Sequence, residues 1–336
     1  MISFSSTNAY FAEASQSLES FQLRVFETLT NTLICSFVNE PGTAISCLAW
    51  DQSSKSLAWG LKDGSIQIFS LSQKKIIQSF KKHSSAVSDL IFSKNGLLSC
   101  AENVCIEWDL SGRVKRDLML DSPILKLKLN KSESKLALGG SNIHIYSTKK
   151  FTLERSFTAH STEIVDLAFA SDDRFCLSLA KEERAISVWD LQDASNKNCY
   201  NLLSLDSEIR SMDISYLNEV VGVDEFGVAS FWETPSKAKT TAVAKKKKAR
   251  QTCTPAVGSI KIIDSASKDM QILSASFTAQ KILIVRNSLL RPIFELIDYK
   301  DVNGVIESKV LKRDASKGLL MKSEGEVVVP RVNYFL

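Results

Sequence analysis

AISVWDL, Ala185–Leu191, alternates apolar with small or polar side chains and closes on an aromatic followed by an aspartate. A period of two is the signature of a strand, whose successive side chains point to opposite faces. Outward from this stretch the same pattern recurs in LRVFETL (Leu23–Leu29), IQIFSLS (Ile66–Ser72) and CIEWDLS (Cys105–Ser111). It returns in IHIYSTK (Ile143–Lys149), VASFWET (Val228–Thr234) and ILIVRNS (Ile282–Ser288). The anchoring residues are Phe26, Phe69, Trp108, Tyr146, Trp189, Trp232 and Val285, spaced by 43, 39, 38, 43, 43 and 53 residues. Copies at a period of about 40 residues mark a repeat architecture.

Each copy has one internal order. An apolar strand comes first, as in AISCLAW, AVSDLIF, PILKLKL, EIVDLAF, EIRSMDI and SIKIIDS. A turn such as DQSSKS or ASDDR follows, then a second strand, a tight turn such as KDG, the anchored third strand, and a fourth run such as KIIQSF, TLERSF or RPIFEL. Short runs rich in Val, Ile and Phe between turn formers are strands. A lone four-stranded sheet cannot cover both apolar faces, whereas radially arranged sheets cover each other. The expected fold is therefore all-β: a single seven-bladed β-propeller over residues 1–299, followed by a short C-terminal extension, 300–336. The aromatic anchors fill the space between blades. The 53-residue spacing implies a basic loop insertion, 234–255, between the third and fourth strands of blade six. Because ISFS, YFAEAS, FQLRVFE and LICSFV supply the first unit with four runs, no large exchange of strands between the termini is expected. The tail holds VIESKVLKR and EVVVPRVNYFL, available as an outer strand or to cross a face.

Two units read Trp-Asp outright, Trp108-Asp109 and Trp189-Asp190, and TAHSTEIVDLAF places a histidine before a first strand. These residues resemble the WD-repeat propeller family. The family's Gly-His pair becomes Lys82-His83 or Ala159-His160, and its turn aspartate persists as Asp63, with Glu102 and Glu183 in later units. The family's histidine–aspartate–tryptophan network is accordingly expected to be incomplete throughout.

Composition narrows the chemistry. Apolar residues make up 44% and charged residues 24%, as in ordinary globular chains, and the net charge is +4, a mild excess that matters only where clustered. Seven cysteines contain no C-x-x-C pair, and with three histidines they give no zinc-ligand cluster; buried reduced thiols are expected, with no metal and no cofactor. There is no G-x-S-x-G, P-loop, G-x-G-x-x-G or H-E-x-x-H pattern. Gly139-Gly140 and Asp172-Asp173 read as turn residues, and His160 with Asp166 as a structural hydrogen bond rather than a catalytic pair. A non-enzymatic binding protein is expected, with no small-molecule substrate. No apolar run is long enough to cross a membrane, and Met1–Phe11 lacks a signal peptide's pattern.

The local charge feature is the run Lys245, Lys246, Lys247, Lys248 and Arg250 inside the insertion. It suits RNA phosphates or an import factor, or it is a solvated loop with no specific partner. No aromatic is interleaved, so base stacking is not indicated. Lys81-Lys82, Lys149-Lys150 and Lys126 with Lys128 are weaker features and read as lone surface lysines.

Several stretches resemble one group more closely. NAYFAEAS with LRVFETLTNTLICSF, SCLAW, FTAHSTEIVDLAF, LIVRNSLLRPIFEL and EVVVP (Glu326–Pro330) lie in matching order with the Utp-five-type subunits of the UtpA (t-UTP) module of the small-subunit processome. That resemblance implies a scaffold in the nucleus and nucleolus, acting in early pre-rRNA processing and small ribosomal subunit biogenesis and linked to rRNA transcription. It implies as partners other UtpA subunits, which are WD-repeat and helical proteins, and the pre-rRNA 5′ external transcribed spacer. The group carries a helical C-terminal domain, and the resemblance leaves open whether this chain is a fragment lacking it. The alternative is a general peptide-recognition propeller, a substrate adaptor or a histone-reading module.

Overall fold

The computed structural model describes residues 2–233 apart from short loop segments, and the strand backbones lying between 252 and 314. The strands group, among the described residues, into sheets whose order follows the chain. The first sheet is β1 (Ile2–Phe4), β2 (Tyr10–Gln16), β3 (Phe21–Glu27) and β4 (Leu33–Val38); the second is β5 (Ile45–Trp50), β6 (Ser56–Leu61), β7 (Ser65–Ser70) and β8 (Lys75–Lys81). The third is β9 (Asp89–Ser93), β10 (Gly96–Ala101), β11 (Val104–Trp108) and β12 (Val114–Met119); the fourth is β13 (Lys126–Leu129), β14 (Lys135–Gly139), β15 (Asn142–Ser147) and β16 (Leu153–Thr158). The fifth holds β17 (Ile164–Phe169), β18 (Phe175–Ala180), β19 (Ala185–Asp190) and β20 (Cys199–Leu203), and the sixth begins with β21 (Ile209–Ile214), β22 (Glu219–Asp224) and β23 (Val228–Glu233).

Beyond them β24 (Thr252–Pro255) joins the fifth sheet and β25 (Gly258–Lys261) the sixth, while β26 (Ile272–Thr278), β27 (Lys281–Arg286), β28 (Ile293–Val302) and β29 (Val305–Asp314) form the last sheet. Each sheet is an antiparallel meander, apart from β24, which runs parallel to β20. The first strand of each sheet packs against the first strand of the next, so these strands line the centre and the fourth strands form the rim.

The apolar clusters form between sheets rather than within them. Cys47, Ile66 and Ile68 of the second sheet pack with Leu97, Ile106 and Trp108 of the third. Ala137, Ile143 and Ile145 of the fourth pack with Cys176 and Trp189 of the fifth, and Leu177 and Val188 of the fifth with Val220 and Trp232 of the sixth. Covered from both sides, the second strands β10 and β18 are buried at every position, whereas the rim strand β8 is largely exposed. Glycine is needed where the meander closes most tightly. Gly64 has φ 86°, and a Cβ on Gly140 would lie 2.0 Å from the Pro123 carbonyl oxygen.

The first sheet is built from its own four strands, with β1 paired to β2 from Ile2↔Glu13 to Phe4↔Phe11. The last unit is framed differently from its sequence reading. SIKI, expected as an opening strand, is β25, the outer strand of the sixth sheet, paired with β23. ILSASFT opens the last sheet, so Val285 lies on its second strand and RPIFEL enters its third. VIESKVLKRD then supplies the outer strand, and residue 299 falls inside β28. The frame slipped because an apolar run shows its strand character but not which neighbour it pairs with. Residues 234–251, including Lys245–Lys248 and Arg250, lie outside the described residues, as does Glu326–Pro330.

Candidate functional site

Three groups of polar residues sit where the packing would otherwise be apolar. The first ties histidine to tryptophan across two strands. In the fifth sheet His160 Nδ1 donates to Glu183 at 2.7 Å, which fixes the ring's tautomer. Its Nε2 then accepts from the Ser178 hydroxyl at 2.6 Å, and Ser178 Oγ accepts from Trp189 Nε1 at 2.9 Å. Four side chains thus form one directed chain. The network expected to be incomplete throughout is complete here, with Glu183 in the aspartate's place and a serine as its centre. His160 does not use Asp166, contrary to the pairing read from sequence.

The third sheet repeats the core of this arrangement. Ser99 Oγ lies 2.7 Å from His83 Nε2 and accepts from Trp108 Nε1 at 2.8 Å. Burial and the adjacent Lys82 push His83 down to about 4, so the ring is neutral at pH 7. Register explains where the serine must be. Trp108 opposes Leu97 and Trp189 opposes Cys176, and the serines lie two residues further along the neighbouring strand. In the sixth sheet Trp232 opposes Val220, which puts Gly222 at the serine position. Trp232 is 1% exposed, and its Nε1 finds no acceptor. An unsatisfied buried donor costs about 1–3 kcal/mol. Trp232→Phe should therefore lower the urea midpoint less than Trp189→Phe, which should lower stability by about 1 kcal/mol or more beyond the loss of ring volume, because it removes the indole hydrogen bond to Ser178.

The second group lines the centre. Asp89 (β9), Lys126 and Lys128 (β13), Asp166 (β17) and Asp213 (β21) stand on consecutive first strands. Asp89 accepts backbone N–H bonds from Leu90 at 3.0 Å and, across the sheet boundary, from Leu127 at 2.9 Å. Asp166 and Asp213 each accept from the next residue's amide at 2.8 Å. Lys126 is buried rather than a surface lysine. Burial pushes its ammonium down, and Asp89 and Asp166 on either side pull it back up. Burial drives Asp166 up to about 6, opposed by Lys128 and Lys126.

The third group comprises buried thiols. Cys47, Cys100, Cys105 and Cys176 are free and buried, and burial pushes Cys105 and Cys176 up to about 12. Such thiols are poor nucleophiles. Among the described residues no group of three or more His, Cys, Asp or Glu side chains is placed to hold a metal ion. Asp172 and Asp173 cap their own turn and a neighbouring one, through Arg174 N at 3.0 Å and Ser132 Oγ at 2.9 Å. Of the expected anchors, Phe69, Trp108, Tyr146, Trp189 and Trp232 are buried. Phe26 is half-buried and stacks on Phe11 at 4.9 Å.

Meandering sheets packed face to face around a centre, stapled by histidine–serine–tryptophan bridges, define a β-propeller. The fold is that of WD40-repeat β-propellers, a family usually without catalytic activity. Residues 20–111 match the anaphase-promoting complex subunit 4 WD40 domain, and residues 151–190 match the WD domain, G-beta repeat. Protein sof1 of Schizosaccharomyces pombe is 27% identical over 162 residues, 47% of this chain and 36% of that protein. The mouse (Mus musculus) guanine nucleotide-binding protein subunit beta-like protein 1 is 24% identical over 187 residues, 51% of this chain and 57% of that protein. The chain thus spans between roughly a third and somewhat over half the length of these relatives.

Among solved structures, Kluyvelomyces marxianus Hsv2 superposes with a TM-score of 0.68 at 13% identity, over 96% of this chain and 98% of that one. A chain of the mitotic checkpoint complex gives 0.64 at 15% identity, over 84% and 82%. These likenesses concern the fold alone.

Proposed function

We propose that this chain is a non-enzymatic scaffold subunit that docks neighbouring proteins on a closed, seven-bladed propeller, and that it belongs to the UtpA module of the small-subunit processome. The reading rests on the resemblance of segments from NAYFAEAS to EVVVP, in order along nearly the whole chain, to UtpA-type subunits. A rigid WD40 propeller whose histidines and thiols serve packing supports a binding role over a catalytic one. The matched family description names a subunit of a large complex, which accords with a scaffold.

On this reading the protein works in the nucleolus, in early pre-rRNA processing. Its partners are other UtpA subunits and the 5′ external transcribed spacer, with Lys245–Lys248 and Arg250 contributing phosphate contacts or an import signal. Affinity purification with sequencing of bound RNA tests it. UtpA proteins and pre-ribosomal RNA should co-purify, and their absence would leave the peptide-recognition reading in its place. Replacing Lys245–Lys248 and Arg250 by alanine should weaken nuclear import or RNA recovery with little change in thermal stability.

A further inference from the structure

The two ends of the second, third and fourth sheets carry different charge. At one end lie the turns 51–55, 71–74, 94–95, 109–113, 130–134 and 148–152, joining first to second and third to fourth strands. They hold Lys55 and Lys74 from the second sheet, Lys94 and Arg113 from the third, and Lys131, Lys149 and Lys150 from the fourth, all exposed. Against these seven cations stand three carboxylates, Asp51, Asp109 and Glu133. Each is turned onto local donors: Asp51 onto Lys55 N at 2.7 Å, Asp109 onto Ser111 N at 2.8 Å, and Glu133 onto Lys94 N at 2.8 Å. At the opposite end the loops 62–64, 82–88, 102–103, 120–125 and 140–141 hold two lysines, Lys62 and Lys82, and three acids, Asp63, Glu102 and Asp121.

The basic turns form one surface. Glu133 of the fourth sheet accepts from Gln52 of the second and from Lys94 N of the third. Arg116 of the third sheet donates to the Lys149 carbonyl of the fourth at 3.0 Å. The surface stops at the fifth sheet, whose turn brings Asp172 and Asp173 to the same end.

We infer that this face, spanning the turns of the second to fourth sheets, docks the phosphate backbone of a nucleic-acid helix. Six of its seven cations are lysines, point charges suited to phosphate oxygens without base readout. A protein partner would call for aromatic or arginine anchors at the centre of the patch. The described face offers Arg113, the exposed Leu110, and a half-buried Phe151 already covered by the Arg116 guanidinium at 5.0 Å. The surface is distinct from the lysine run at 245–248, and the inference does not rest on the scaffold reading.

The test is fluorescence anisotropy with an RNA duplex of about 20 base pairs and arbitrary sequence, between 50 and 200 mM salt. One variant carries K55Q, K94Q, K131Q and K149Q. A control removes the same charge from the other end with K62Q and K82Q and, in the exposed 181–184 turn of the fifth sheet, K181Q and R184Q. Both are made with the natural loop and with Lys245–Lys248 and Arg250 changed to glutamine, and unchanged thermal melting verifies the fold. The first variant should lose at least about tenfold in affinity at low salt, and its salt slope should fall by up to about 3.6, near 0.9 for each of the phosphates no longer neutralised. The control should change less than about twofold, in both loop backgrounds. Equal losses in the two variants, or no loss in the first, would overturn the inference. Displacement of the duplex by polyglutamate at matched charge would overturn it as well, assigning the face to an acidic protein.

Discussion

Lys126→Met is expected to destabilise the protein by about 3 kcal/mol, read as a fall in the urea midpoint, because it leaves the partly buried Asp89 and Asp166 with Lys128 as their remaining nearby cation. Lys126 is 8% exposed on β13, between Asp89 of the preceding sheet and Asp166 of the following one. Methionine fills a similar volume, so altered packing contributes little and electrostatics sets the cost. Desolvation of each carboxylate remains after substitution, while the attraction that offset it falls to that of Lys128. Adding Asp89→Asn and Asp166→Asn should return a large part of the loss, since an ion cluster replaced as a whole is far less costly than one broken in half.

The pH dependence has a definite sign. Asp166 titrates at about 6 in the folded chain, above its ordinary 3.8, so the folded state favours the neutral carboxyl. Stability linked to that neutral form is complete below 3.8 and is lost as pH rises through 6. Removing Lys126 withdraws a charge that opposes this shift. The penalty of Lys126→Met should therefore grow as pH rises through 6 and shrink as the solution is acidified toward 4. A penalty independent of pH would show that Lys126 acts through packing rather than charge.

The sequence alone made the meander legible because two periods reinforce each other: alternation within strands, and the recurring anchors Phe69, Trp108, Tyr146, Trp189 and Trp232. Pairing partners were less legible. SIKI alternates like an opening strand and serves as a rim strand, since the insertion before it removed the cue of distance. Lys126 looked like a surface lysine because alternation reports one covered face, and a central strand between two neighbouring sheets is covered further. The basic face was invisible for a related reason. Its cations come one or two at a time along about a hundred residues, and only the fold brings alternate turns to one end.

The histidine–tryptophan network was half legible, and the unread half is its most sensitive part. Ser178→Ala should cost about 2–4 kcal/mol, because one hydroxyl satisfies two buried groups, the Trp189 indole at 2.9 Å and His160 Nε2 at 2.6 Å. No motif flags this serine: its place follows from the register Cys176↔Trp189, two residues away. Trp232 beside Gly222 shows that a sheet of this chain folds with the indole unsatisfied, so the variant should be destabilised and still native. A double-mutant cycle isolates the interaction. Ser178→Ala made in a Trp189→Phe background should cost less than it does alone, by about 1 kcal/mol or more. The same cycle with Ser99 and Trp108, whose hydroxyl also bridges indole and imidazole, should give coupling of the same sign. Zero coupling in both sheets would mean that packing around the tryptophans, not the serine bridge, fastens the third strands in place.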